Sequence, residues 1–202
     1  MSKLVVVQRF FPNFREGFFD EVAFQSDMTL LCSERMPGKI NHSENIASKR
    51  YVNFLNSIIF GESFVIFPFL LFKLMILKPS WIVTEGGTNT VNNLWIWIYC
   101  KLFGCKYVVW DLGRAYKGPE NISSLRKVYN SIYRKFMLDA EAIYVYNSAG
   151  KSYFANLYPN KEIISLNNTV DTKKIASFKK NSVVKGCEDL KSISKFKSVI
   201  LY

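Results

Sequence analysis

The 202-residue chain carries 27 lysines and arginines against 16 acidic residues, a formal net charge of +11 with a pI near 9.5. Hydrophobic residues make up 49% and charged residues 21%, enough to bury one full core and too apolar for a disordered chain. The positive surplus calls for an anionic partner: nucleic acid, anionic lipid head groups or a diphosphate-bearing substrate.

Cys32, Cys100, Cys105 and Cys187 form no CxxC pair, and His42 is the single histidine. A zinc site of His and Cys is not expected, and the thiols are read as small apolar groups in a reducing, cytoplasmic setting. Met1-Ser2-Lys3 leads straight into an apolar run, so no signal peptide is read.

In chain order, residues 4–7 form a compact β-branched strand that extends toward Gln8 and Arg9. Phe10-Phe11-Pro12-Asn13 is a turn, with Asn13 placed to cap a helix running to Gln25. Residues 28–32 read as a second strand, 34–48 as a polar loop holding Pro37-Gly38, and 51–55 as a third strand. Residues 64–77 are predicted as one apolar helix. With Pro68 and Lys73 inside it, the run falls short of the about 20 apolar residues of a membrane span, so it is read as buried or membrane-touching. Residues 81–84, 107–110, 142–146 and 162–166 are strands; 93–103, 123–138 and 148–157 are helices, the first stopped by Gly104 and the last capped by Asn147. Strands separated by helices at this spacing imply an α/β fold, a doubly wound parallel sheet with right-handed crossovers.

Residues 167–172 then read as a linker and 173–197 as a lysine-rich stretch, while residues 198–202 begin a fresh apolar strand. The expected organisation is a Rossmann-like domain over residues 1–170, an interdomain linker or helix over 171–197, and the first strand of a further domain at 198–202. The other reading of the last strand is an added edge of the same sheet.

Four segments carry a resemblance: Val5-Val6-Val7-Gln8-Arg9-Phe10-Phe11-Pro12-Asn13-Phe14-Arg15; the strand 81–84 after Lys78-Pro79; residues 107–114; and residues 140–151 followed by 162–172. In that order they resemble the N-terminal domain of GT-B fold glycosyltransferases, of the retaining class that builds bacterial polysaccharides and glycolipids. Asn168-Thr169 stands where that family has Asn-Gly. The resemblance implies a transferase that moves a sugar from a nucleotide-sugar donor to a saccharide or polyprenyl-linked acceptor. It implies that this chain is the acceptor half, with the donor site on a second domain, and that neither metal nor cofactor is required. A non-catalytic subunit that recruits a split glycosyltransferase to the membrane is the alternative.

Ligands of doubly wound sheets bind beyond the carboxyl ends of the strands. Asp111 and Arg114 are therefore the catalytic candidates, Asp111 to orient or deprotonate an acceptor hydroxyl and Arg114 to hold phosphate charge. The other reading of Asp111 is a bond to backbone amides of its own loop. Arg9, Arg15, Glu85, Gly86, Gly87 and Gly113 are the acceptor-binding candidates. Arg15 is read either as an anion ligand at a helix N-terminus or as a surface cation paired with Glu16 or Asp20. Gly86-Gly87 is either a close backbone approach or a tight turn, and no G-x-G-x-x-G follows the first strand. The Trp95, Trp97 and Tyr99 rings, with Lys101 and the charge of the chain, suggest docking on the inner face of an anionic membrane. The lysines of 173–197 accompany no nucleic-acid motif, so no nucleic-acid partner is expected.

Overall fold

A computed structural model describes residues 3–11, 15–34, 46–61, 64–87, 89–113 and 124–166, without the side chains of 47, 90 and 124–129. The expected linker, the terminal strand, the Asn13 cap and Arg114 all lie outside the described residues.

Seven parallel strands form one sheet: β1 (Leu4–Val7), β2 (Met28–Ser33), β3 (Val52–Leu55), β6 (Trp81–Glu85), β7 (Lys106–Asp111), β8 (Ala142–Val145) and β9 (Glu162–Ser165). Their order is β3-β2-β1-β6-β7-β8-β9. The chain winds outward from β1 to β3, returns to the middle, then winds outward again from β6. This is the doubly wound sheet the spacing predicts. The reversal falls between β1 and β6, which pair in parallel with Val7 opposite Thr84.

Each face of the sheet buries an alternating set of side chains. Val5, Val7, Ile82, Val109, Ile143 and Ile163 meet helices α2 (Leu70–Leu77), α3 (Thr90–Phe103), α4 (Ser124–Asp139) and α5 (Ser148–Leu157). Val6, Leu30, Cys32 and Trp110 meet α1 (Glu16–Gln25) through Phe19. Cys32 has its thiol pushed up to about 12 by burial, and Cys100 and Cys105 are buried as well, in keeping with thiols used as packing groups. Asn147 caps α5 by accepting from the Gly150 N–H at 2.8 Å, and Gly104 closes α3.

The predicted helix over 64–77 is corrected. Phe64–Ile66 is strand β5, antiparallel to β4 (Ile58–Phe60), and the helix α2 begins only at Leu70. Pro68 is the physical reason: its ring drives the preceding residue toward extended backbone, so the helix starts after it. The hairpin is then held from a distance. Asn92, in the first turn of α3, accepts from the Phe67 N–H and donates to the Val65 carbonyl, both at 2.8 Å and buried. The rings of α3 pack in part on the core. Tyr99 is buried, Trp95 and Trp97 pack on the core, and the Trp97 indole donates to Asp139 at 2.8 Å.

Replacing Asn92 by Leu keeps the branching of the side chain but strands two buried backbone groups, each worth about 1–3 kcal/mol. Urea unfolding of Asn92→Leu is expected to show a loss of about 3 kcal/mol. A loss below about 1 kcal/mol, short of even one stranded group, would mean that the hairpin is not anchored there.

Candidate functional site

The carboxyl ends of β1, β6, β7 and β8 share one rim of the sheet, and the pleat decides which side chains meet there. Val6, Val83 and Val108 stand in register on the α1 face. Two residues further along, Gln8, Glu85 and Trp110 therefore form a row on that same face, crossing the β1–β6 reversal. Glu85 Oε2 accepts from the Arg9 backbone N–H at 3.1 Å and from Arg9 Nε at 3.0 Å, a largely buried ion pair that bridges the two strands. Beyond Trp110, Tyr146 stacks on the indole at 5.5 Å between ring centroids. The Arg15 guanidinium lies over both rings, 4.6 Å from the Trp110 centroid and 5.0 Å from that of Tyr146, and donates to the Tyr146 hydroxyl. Burial raises the Tyr146 phenol, Arg15 opposes this, and the Glu85 and Asp111 charges add to it. That hydroxyl therefore stays neutral and lies within electrostatic reach of both carboxylates.

Two members of the row have unanswered polar groups. The Gln8 side-chain amide and the Trp110 indole N–H are buried without a hydrogen-bond partner among the described residues. Such groups cost about 1–3 kcal/mol each when left unmatched. Below the row, the α1 face opens into an apolar groove of about 440 Å³ lined by Val6, Phe18, Val83, Val108, Trp110 and Tyr144 among others.

The second group points the other way. Asp111, at the end of β7, accepts from the Gly113 N–H at 2.9 Å through one oxygen and from the Tyr133 hydroxyl at 3.3 Å through the other. Tyr133 in turn accepts from the Gly87 N–H at 3.0 Å. Gly86 lies so near Asp111 that a Cβ would stand 1.9 Å from Oδ2. Gly113, at φ +67°, packs its Cα face on Gly150, where a Cβ would meet the Gly150 Cα at 2.3 Å.

The structure thus brings Arg9, Glu85 and Arg15 to one side of the rim and Gly86, Gly87, Asp111 and Gly113 to the other. The bond from a backbone amide of its own loop that was weighed for Asp111 is present, from Gly113. Glu16 and Asp20, the partners weighed for Arg15, both pair with Lys49, at 3.0 and 2.6 Å. Gln8, Trp110, Tyr133 and Tyr146 were not singled out as site residues from the sequence. For Gln8, Trp110 and Tyr146 the period-2 pattern carried the signal, since each stands at the carboxyl end of a strand on the α1 face. Tyr133 had none, its partner Gly87 being 46 residues away.

The chain is similar to the solved structure of UDP-GlcNAc 2-epimerase from Methanocaldococcus jannaschii, with a TM-score of 0.52 and 10% identity over 96% of this chain and 52% of the epimerase. It is also similar to L-threonine 3-dehydrogenase from Trypanosoma brucei, with a TM-score of 0.43 and 10% identity over 72% of this chain and 53% of the dehydrogenase. The chain spans about half the length of each. No protein-family model and no curated protein matches it. The likeness to the epimerase is one of fold: a Rossmann-like parallel sheet with flanking helices.

The glycine pair gives a direct check on the rim. Gly113→Ala adds a left-handed strain of about 1–2 kcal/mol to an overlap with Gly150 of about 1–3 kcal/mol. Gly87 has φ +64° but open space around its Cα, so Gly87→Ala adds the strain alone. Thermal unfolding should rank Gly113→Ala well below Gly87→Ala. Equal melting points would show that the Gly113–Gly150 approach is not a constraint.

Proposed function

We propose that this chain is the acceptor-side lobe of a GT-B glycosyltransferase, which receives a saccharide or lipid-linked acceptor at its rim while a second lobe supplies the nucleotide sugar. The observation that supports it best is the row Gln8-Glu85-Trp110 with Arg9, Arg15 and Tyr146, set across the point where the strand order reverses. Crevices at such points are where open α/β sheets take their ligands. The likeness in fold to an enzyme whose name is UDP-GlcNAc 2-epimerase, over half of that enzyme, fits a two-lobed sugar-nucleotide enzyme.

The chemistry of the row suits a polyol that carries negative charge. A carboxylate accepts from sugar hydroxyls, an amide can both donate and accept, an indole N–H donates, and a guanidinium attracts phosphate. Glu85 takes the role of orienting the acceptor hydroxyl, and Arg9 holds Glu85 in place. Asp111 acts as a positioning residue: by fixing Gly113 and Tyr133 it sets the loop that leads to Arg114. In the transfer the acceptor oxygen bonds to the anomeric carbon as the carbon–phosphate oxygen bond breaks. The acceptor proton passes to the departing diphosphate, so no protein nucleophile is needed. The lobe is assigned to the cytoplasmic side, where nucleotide sugars are available.

The test is transfer of radiolabelled sugar to a polyprenyl-linked saccharide by the full chain supplied with a donor-binding lobe. Glu85→Gln and Arg9→Gln are expected to lower turnover at least about a hundredfold, the order of one lost electrostatic contact in a reacting site. Turnover unchanged in both variants, while still dependent on this chain, would favour the recruiting-subunit reading. Tight binding of the nucleotide sugar by this chain alone would overturn the acceptor assignment.

A further inference from the structure

Apart from Lys73, helix α2 is apolar on every side. Leu70 and Leu74 are fully buried against the sheet, yet Phe69, Phe72 and Ile76 are 66%, 63% and 59% exposed, with Met75 beside them also exposed. A helix of this kind belongs in a core or against lipid. The adjoining elements continue the surface: Ile58 and Phe60 are exposed on β4, and Leu102 and Phe103 at the end of α3, which packs alongside α2. Contiguous exposed apolar patches mark interaction surfaces.

Charge selects the occupant. Between residues 46 and 110 the acidic residues are Glu62 and Glu85 alone, against Lys49, Arg50, Lys73, Lys78, Lys101 and Lys106. Lys73 lies on α2 and Lys78 caps it, and neither forms an ion pair among the described residues. A second copy docked by the same face would bring Lys73 and Lys78 of each copy together, with Glu62 the single acidic residue between Ile46 and Thr84 to offset them, because two-fold contacts are self-complementary. An anionic bilayer answers both features at once: it accepts aromatic and aliphatic side chains among its head groups and attracts lysines to its phosphates. No helix among the described residues is long and apolar enough to cross a membrane, so the contact lies in the plane of the interface.

We propose that the face made by α2 and the β4–β5 hairpin seats this domain on an anionic lipid surface. Phe60, Phe69, Phe72 and Ile76 enter the head-group layer, and Lys73 and Lys78 contact lipid phosphate. The indoles of α3, packed on the core, take no part. The hairpin follows the carboxyl end of β3 and is tied to the first turn of α3, so the lipid surface lies near the rim that holds Glu85.

The experiment is co-sedimentation of the full chain with phosphatidylcholine vesicles, with and without phosphatidylglycerol, over a range of salt. Binding is expected only with phosphatidylglycerol, and is expected to fall as salt rises. The double substitution Phe72→Glu/Ile76→Glu should weaken it more than about tenfold. Lys73→Gln and Lys78→Gln should each weaken it about fivefold. All four side chains lie away from the core, so unchanged circular dichroism and melting point should confirm an intact fold in every variant. Binding that ignores phosphatidylglycerol, or a Phe72→Glu/Ile76→Glu chain that sediments like the parent, would overturn the proposal. So would a dimer in analytical ultracentrifugation that the double substitution dissolves while vesicle binding is absent. Vesicle binding needs neither donor nor acceptor, so this result and the transferase test stand or fall separately.

Discussion

The parallel pairing of β1 with β6 governs what the rim can present. The two strands are 74 residues apart along the chain, and the pairing sets Val7 against Thr84, so Arg9 and Glu85 emerge side by side. A slip of one residue would turn Glu85 to the opposite face and push Thr84 out of the interior. Burial on both faces forbids the slip, since Val5, Val7 and Ile82 fill one core while Val6 and Val83 line the other. The reversal point is therefore the most strongly specified part of the sheet, and a charged pair there is placed by apolar packing beneath it.

Polar groups then fix the rim more finely. Thr84 donates to Asn93 at 2.7 Å and accepts from Asn89 at 3.2 Å, while Asn92 also donates to Asn89. Asn93 donates to the Glu85 carbonyl at 2.9 Å. All four side chains are buried, and their value lies in being satisfied together, because a half-satisfied buried network costs more than an apolar one. Glu85 is consequently held twice, by its backbone through Asn93 and by its carboxylate through Arg9. The ion pair adds little net stability once desolvation is counted. Its contribution is a fixed carboxylate at the crevice.

The parts of this arrangement that rest on local signals were legible in the sequence. β-branched runs marked the seven sheet strands, Gly104 and Asn147 marked helix ends, and strand spacing gave the parallel winding. The bond from the Gly113 N–H to Asp111, two residues back, was also within reach. Long-range causes were not. Residues 64–66 became a strand because β4 lies antiparallel to them and Asn92, more than 20 residues on, completes their hydrogen bonds. The contact of Arg15 with Tyr146, 131 residues away, left no local signal. Lys49, which pairs with Glu16 and Asp20, lies 29 residues beyond Asp20.

Arg15 shows how the rim outweighs the helix it borders. A cation at the head of α1 opposes the helix dipole, an effect worth about 0.3–1 kcal/mol. No side-chain cap at that position relieves it. Two aromatic faces and a phenolic hydroxyl lie on the other side of the balance. A desolvated cation–π contact contributes about 2 kcal/mol, and a hydrogen bond from a charged donor about 1.5–3 kcal/mol. The sum exceeds the dipole penalty, so the guanidinium turns away from its own helix toward β7 and β8. Positive charge is thereby carried over Trp110 and Tyr146. The first turn of α1 gives up a favourable acidic or hydroxyl cap at Arg15, and the rim gains a cation fixed on two aromatic rings.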